Sequence, residues 1–381
     1  MGFISNFKKT FKPKYYINYA VLVLFLIVSS IMGANGAISR SMLGLLPRIA
    51  YSIIAAVSLN LVVGFLGELS LGHAGFMCVG AYIGCYIGKL ISAYIDSQLA
   101  VFLIALVIGG CVAAFFGFVV GLPALRLKGD YLAIVTLAFG EIVRNVFKNL
   151  EMFGGAQGLS TTTYSKKTYY IVAFIIVLVV LILTQNLIRS KHGRAITAIR
   201  DNEIAAKAMG INVTFYKLFV FIVSAFFAGM AGVMMGYLNT PILYSAYSYN
   251  FSIEILVMVV LGGIGSINGS IVAATLITYI NFILQDKLSG RYAAIRFLVY
   301  ALILIVVVLI NNAPALRGVV DRLDIRKLFN KLFKKKHDPA VIKDDETDWT
   351  RIESKIKMDE ILTVDIRDKE SQSDGEDTDN G

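Results

Sequence analysis

Long apolar runs separated by short polar connections fill most of this chain. A helix needs about 20 apolar residues to cross roughly 30 Å of hydrocarbon, and ten runs reach or approach that length. The pattern predicts an all-α, polytopic integral membrane helical bundle with about ten transmembrane segments. The fifth and eighth runs are short, which predicts tilted or re-entrant elements at those points. The ten runs cover about residues 17–34, 44–66, 71–92, 99–122, 131–147, 169–188, 217–238, 250–264, 270–286 and 293–311.

The composition supports the same class of protein. Hydrophobic residues make up 57% of the 381 residues, charged residues only 16%, and the mean hydropathy is +0.70. Soluble domains average about 45–50% apolar and about 25% charged residues. The composition therefore argues against a soluble globular domain and predicts a multi-pass protein embedded in a lipid bilayer.

The net charge of +10 is unevenly distributed along the chain. Residues 344–381 hold 14 acidic and 5 basic residues, whereas the basic excess lies beside the apolar runs. Lys and Arg clustered next to spans mark the cytoplasmic side, so both termini are expected in the cytoplasm. The protein itself is expected in the cell (inner or plasma) membrane. The charge follows membrane edges and forms no recognition face, which argues against a nucleic-acid partner.

These patterns divide the chain into four parts. Residues 1–16 form a basic cytoplasmic N-terminus, and residues 17–312 form the transmembrane domain with a cytoplasmic internal loop at 189–215. Residues 313–343 form a basic cytoplasmic segment. Residues 344–381 are acidic and rich in Ser and Asp, a composition typical of disorder.

No cofactor or metal is indicated by the sequence. The three cysteines, Cys78, Cys85 and Cys111, lie inside apolar runs, where they have neither metal-ligand spacing nor the pattern of a disulfide framework. The segment Leu261–Ser270, LGGIGSINGS, has the wrong glycine spacing for a phosphate-binding loop. We found no ATP-binding motif and predict no catalytic residues, so the chain is expected not to be an enzyme.

The internal loop is the most informative polar segment. Asp201 or Asn202 can N-cap a short helix through Ala205 and Ala206, and Gly210 suits the left-handed position that ends it. A charged loop with a small-residue face is suited to docking on a soluble partner, although an ordinary connector is the alternative. The candidate coupling residues are Gly193, Arg194, Arg200, Glu203, Ala205, Ala206 and Gly210.

A second candidate region interrupts apolar sequence between Asn60 and Tyr82. Ionisable residues at membrane depth cost about 2.5–3.5 kcal/mol each and usually face protein or water. The glycines of this region allow an unwound backbone, which is tolerated only when it is buried in protein or lines a cavity. We predict a pathway-lining hinge; the alternative is a short interfacial loop whose histidine bonds a backbone carbonyl. The candidates are Asn60, Glu68, Ser70, Gly72 and His73.

Two further segments complete the candidate pathway or hinge. In GDYLAIVTLAFGEIVR, Asp130 can cap the fifth helix, and Glu141 and Arg144 lie three residues apart and can pair on one face. The pair is a structural ion pair, a gate or a substrate contact. LGGIGSINGS predicts a tight turn or a broken helix. The candidates from these segments are Thr136, Glu141, Gly262, Gly263 and Gly265.

Glycines at four-residue spacing occur in three of the runs. Such spacing lets helix backbones approach closely in lipid, so a packing role is predicted. The residues are Gly80, Gly84 and Gly88, then Gly117 and Gly121, then Gly232 and Gly236.

Four blocks in order resemble the LivM-type permease subunits of ABC importers for branched-chain amino acids. The blocks are GFLGELSLGHAGFMCVGAY, GDYLAIVTLAFGEIVRNV, GRAITAIRDNEIAAKAMGI and VMVVLGGIGSINGS, and the resemblance covers about residues 45–312. It implies two ABC ATPase subunits, a second, LivH-like permease and an extracytoplasmic substrate-binding protein as partners. It also implies alternating access driven by ATP hydrolysis in the partner subunits.

The internal loop departs from the wider importer motif at one position. The coupling loop of that motif corresponds to Gly193–Gly210, and Ile204 stands where a glutamate is expected. Related ABC permeases carry urea or short amides, which is the alternative within transport. An ion-coupled secondary transporter is the alternative outside the family; it predicts paired intramembrane acids in inverted halves.

Overall fold

The computed structural model describes residues 40–127, 129–161 and 166–287, together with positions 298, 302 and 305. The predicted run 17–34 and the segments 1–16, 313–343 and 344–381 lie outside the described residues. The run 293–311 also lies outside them, apart from those three single positions. Ten α-helices occur in the described part: α1 Arg40–Asn60, α2 His73–Ile91, α3 Gln98–Ala124, α4 Asp130–Asn149, α5 Lys166–Arg189, α6 Lys191–Asp201, α7 Glu203–Ala208, α8 Val213–Leu238, α9 Tyr249–Gly262 and α10 Ile267–Lys287.

Six segments of the described chain are long and apolar enough to cross a membrane: Ser41–Leu66, His73–Ile91, Gln98–Ala124, Tyr169–Arg189, Val213–Leu238 and Ile267–Leu284. Each of the eight predicted runs in this region coincides with a helix, but α4 and α9 are not candidate spans. α9 has 14 residues and extends only about 21 Å, and α4 carries four charged residues. The chain is a helical, multi-pass membrane protein, and the count of about ten spans stays a prediction.

The bundle is organised around the span that begins in α1, Ser41–Leu66, of whose most apolar stretch 94% is buried. α8 packs along both α2 and α3 through glycines. A Cβ added to Gly80 of α2 would meet the backbone of Gly229, and one added to Gly232 would meet the backbone of Met77. Glycine spacing in these runs therefore permits backbone-to-backbone contact, as predicted.

Two interruptions of the helices position the candidate site. α1 passes into a π-helical turn, Leu61–Leu66, and the chain is then non-helical up to His73; residues 61–72 are called the first break. α9 and α10 are separated by residues 263–266, the second break, in which Gly263 and Gly265 have positive φ. Both breaks match the predicted unwound or turn structure. The predicted Asp130 cap is wrong, because α4 is capped at Gly129 without a side-chain bond and Asp130 is its first residue.

Candidate functional site

The two breaks are joined by one buried amide. Asn60 is fully buried, and its Nδ2 donates to the Ser266 carbonyl at 3.1 Å and to Ser270 Oγ at 2.9 Å. Its Oδ1 accepts a hydrogen bond from Gly265 N at 2.9 Å. A Cβ on Gly64 would overlap Asn60 Oδ1 and Gly265 N, so only glycine permits this approach. Asn60 thus bonds the second break at Gly265 and Ser266 and the first turn of α10 at Ser270.

The internal loop folds as the two short helices α6 and α7. Ser190 caps α6, which the sequence reasoning missed, and Asn202 caps α7 by accepting from Ala205 N at 3.0 Å. Gly210 follows with φ of +80°. The cap at Asn202 and the left-handed glycine are both confirmed.

The predicted coupling residues divide between two faces of the loop. Gly193 and Ala206 are buried against the protein's own helices, whereas Arg194, Ala205 and Gly210 are exposed. The most exposed apolar side chains on this loop are Ile204, at 83%, and Met209, at 82%. Neither is among the predicted coupling residues.

The internal loop is bonded directly to the first break. Lys217, four residues into α8, pairs with Glu68 of the first break at 2.6 Å and with Glu203 of α7 at 3.2 Å. Arg200 of α6 donates from Nη1 to the Gly64 carbonyl at 3.1 Å. Lys217 is not among the candidates predicted from the sequence. A lysine within an otherwise apolar helix does, however, indicate a buried partner of opposite charge.

Beyond the first break lies a layer of polar side chains inside the bundle. His73 Nε2 and Ser58 Oγ are 2.7 Å apart and form a hydrogen bond. The partner of the His73 ring is therefore a serine hydroxyl and not the backbone carbonyl considered as the alternative. Ser224 Oγ donates to the Ser58 carbonyl at 2.6 Å, and Ser252 Oγ accepts from Ala74 N at 3.0 Å. The three serines lie in apolar runs and carry no local signal of this role.

This layer lies near the middle of the bundle. Ser224 is 11 residues beyond the start of α8 at Val213. At about 1.5 Å per residue it lies roughly 16 Å along that helix. Half of a hydrocarbon core is about 15 Å.

α4 packs against the first break beside this polar layer. Thr136 Oγ1 accepts from Leu71 N at 3.0 Å, and a Cβ on Gly72 would meet the Thr136 backbone. Ser70 Oγ is buried and has no hydrogen-bond partner among the described residues. The first break is therefore packed directly on α4.

The predicted pairing of Glu141 with Arg144 is confirmed. Arg144 Nη2 lies 2.6 Å from Glu141 Oε2, and both side chains are about a quarter exposed. Glu141 Oε1 also accepts from Tyr249 N, the first residue of α9, at 3.1 Å. The carboxylate thereby joins α4 to the start of the short helix α9 and favours its N-terminus electrostatically.

The remaining candidates, Gly262 and Gly263, lie at the second break. A Cβ on Gly262 would collide with the Gly269 backbone, and Gly263 has a φ of +90°. Within the described residues, no group of three or more His, Cys, Asp or Glu side chains is arranged to hold a metal ion.

Comparison with known proteins identifies the family. Residues 41–309 match the family described as branched-chain amino acid transport system, permease component. The chain is 34% identical to the LivM permease proteins of Salmonella typhimurium and Escherichia coli, over 65% and 61% of its length. A probable LivM permease protein of Methanocaldococcus jannaschii is 29% identical, over 57% of this chain and 73% of that protein.

These matches cover only part of this chain and only part of each relative. The chain spans 65% of the Salmonella protein and 61% of the Escherichia protein. No solved structure gives a significant match to the chain. The family match covers well over half of the sequence and includes both breaks, the internal loop and α4. The chain therefore belongs to the family of branched-chain amino acid transport system permease components.

Proposed function

We propose that this chain is the transmembrane permease subunit of an ABC importer that moves branched-chain, aliphatic amino acids into the cell. The observation that carries the proposal is the family match over residues 41–309. It is supported by relatives of 34% identity whose names specify high-affinity branched-chain amino acid transport. The chain itself is non-catalytic in this proposal, and ATP is hydrolysed by partner subunits.

The internal loop is the proposed contact with two ABC ATPase subunits. α7 presents Ile204 to solvent, and Met209, directly after α7, is equally exposed; charged residues lie beside both. Two large, exposed apolar side chains, one on this short helix and one directly after it, suit insertion into an apolar groove of a soluble protein. In this proposal the loop and both termini lie in the cytoplasm, in keeping with the basic residues that flank the spans.

The proposed path for the amino acid runs beside the first break. An unwound backbone inside a membrane protein is tolerated where it is packed in protein or lines a water-filled cavity. The polar layer around His73 and Thr136 provides polar groups in the middle of the bundle, where contact with lipid would be unfavourable. The Glu141–Arg144 pair, about a quarter exposed, adds two charged groups. A second, LivH-like permease would complete the path, and an extracytoplasmic binding protein would deliver the substrate.

Uptake and purification together test this function. We expect cells that lack the chain to lose high-affinity uptake of radiolabelled leucine, isoleucine and valine, and the full chain to restore it. Affinity purification from the native host is expected to recover two ATPases and a second permease. Strong competition by urea or acetamide would support the related amide importers instead. Uptake that survives ATP depletion but stops with a protonophore would support the ion-coupled transporter.

A further inference from the structure

Lys217 lies at the junction of three elements that the proposed function requires to move together. Its side chain is only 6% exposed, although it lies about 6 Å from the start of α8. Its ammonium bonds Glu68 of the first break at 2.6 Å and Glu203 of α7 at 3.2 Å. One buried cation therefore connects the internal loop, the spanning helix and the unwound segment.

The two carboxylates differ in their surroundings. Glu68 has a side-chain exposure of 13%, whereas that of Glu203 is 39%. Removing one partner of a buried pair leaves an uncompensated charge, which is strongly unfavourable, while an exposed pair contributes little. Lys217 is therefore firmly held to the first break, and its contact with Glu203 is the weaker of the two.

A cleft of about 400 Å³ opens beside the weaker contact. It is lined by Lys217 and Glu203 together with Gly121, Arg126, Val213 and Leu218, between the end of α3 and the start of α8. α7 thus has open space next to Glu203, and it is held to the bundle by the ion pair and by its buried Ala206. A rigid, fully packed helix would have no such freedom.

A second bond runs in parallel from the loop into the bundle. Arg200 donates to the Gly64 carbonyl, and the Arg200 side chain lies against Gly67, where an added Cβ would be 2.8 Å from Arg200 Cγ. Gly64 lies against Asn60 and Gly265. Asn60 in turn is hydrogen-bonded to Gly265 of the second break. The loop is therefore joined to both breaks through side chains rather than through a continuous helix.

We propose that Lys217 is the positioning residue that transmits motion of the internal loop to the first break. Its ammonium binds both Glu203 and Glu68. Displacement of α7 therefore shifts residues 67–72, together with the part of α4 around Thr136 on which they pack. Residues 67–72 can respond because they lie outside any helix and have no helical hydrogen-bond ladder to deform. This inference rests on the proposed function, since it requires an ATPase that moves the loop.

The test uses the complex purified from its host with the full chain. Lys217→Met removes the cation, and Lys217→Arg keeps a donor for both carboxylates. Lys89→Met removes an exposed lysine from the last turn of α2, outside the internal loop and both breaks, and is the matched control. Glu203→Gln is the milder variant, because its site is partly exposed. Three quantities are measured: subunits recovered, leucine transported per ATP hydrolysed in proteoliposomes, and ATP-induced change in deuterium exchange across residues 61–72.

We expect Lys217→Met complexes to assemble and hydrolyse ATP, but to move about tenfold less leucine per ATP, within the usual range of coupling energies. Their ATP-induced exchange change in residues 61–72 should disappear. Glu203→Gln should show both effects more weakly, and Lys217→Arg and Lys89→Met should resemble the unchanged chain.

Two results would overturn the inference. In the first, Lys217→Met and Glu203→Gln both retain the transport ratio and the exchange response. In the second, both variants lose subunit assembly, which would mean that the pairs serve folding alone. Failure of the unchanged complex to import leucine would instead refute the proposed function, and the exchange measurement would still test transmission, because it needs only ATP.

Discussion

Asn60 allows the strength of the connection between the two breaks to be measured. It is fully buried and makes three hydrogen bonds, to Gly265 N, the Ser266 carbonyl and Ser270 Oγ. Bonds of this kind contribute roughly 0.6–1 kcal/mol each within a membrane protein. Asn60→Ala should therefore lower the free energy of unfolding by about 2–3 kcal/mol, and by somewhat more if Gly265 N finds no other acceptor.

The assay uses the protein's own cysteines. Cys78 and Cys85 are buried and Cys111 is exposed, so in a Cys111→Ser background a thiol-reactive dye reports unfolding of the core. At about 2–4 °C per kcal/mol, Asn60→Ala should lower the apparent Tm by roughly 4–12 °C. Asn149→Ala, at an exposed site with one local bond to its own helix, is the matched control and should have little effect. Equal Tm values for the two variants would refute the view that Asn60 joins the breaks.

Two more predictions follow from packing and exposure. Gly232→Ala should destabilise the bundle, because its Cβ would enter the α2 backbone, whereas Gly44→Ala, with open space around it, should be neutral; both are read by the same dye assay. Ile204→Asp should reduce recovery of the ATPase subunits by affinity purification while the permease still inserts and unfolds at its usual temperature, because 83% of the Ile204 side chain faces solvent. Full ATPase recovery with Ile204→Asp would contradict a docking role for that side chain.

The local features of this chain were predictable from its sequence. The eight runs within residues 40–287 coincide with helices, six of which form candidate spans, because length and apolarity are local properties of a segment. The Asn202 cap, the left-handed Gly210 and the Glu141–Arg144 pair were also predicted correctly. Each depends on residues within three or four positions of one another, and helix geometry sets those distances. The Asp130 cap failed because a cap also depends on how the preceding chain enters the helix.

Only the tertiary structure decided which distant residues meet. Lys217 and Glu68 are 149 positions apart, and Asn60 and Gly265 are 205 apart. It also decided that Ala206 faces the bundle while Ile204 faces solvent, and that Ser58 is the partner of His73. In a soluble helix an apolar stripe indicates the buried face, but spanning helices are apolar on the lipid side as well as the protein side. Their rotation and register are therefore set by close glycine packing and by the pairing of buried polar groups, which no local pattern in the sequence specifies.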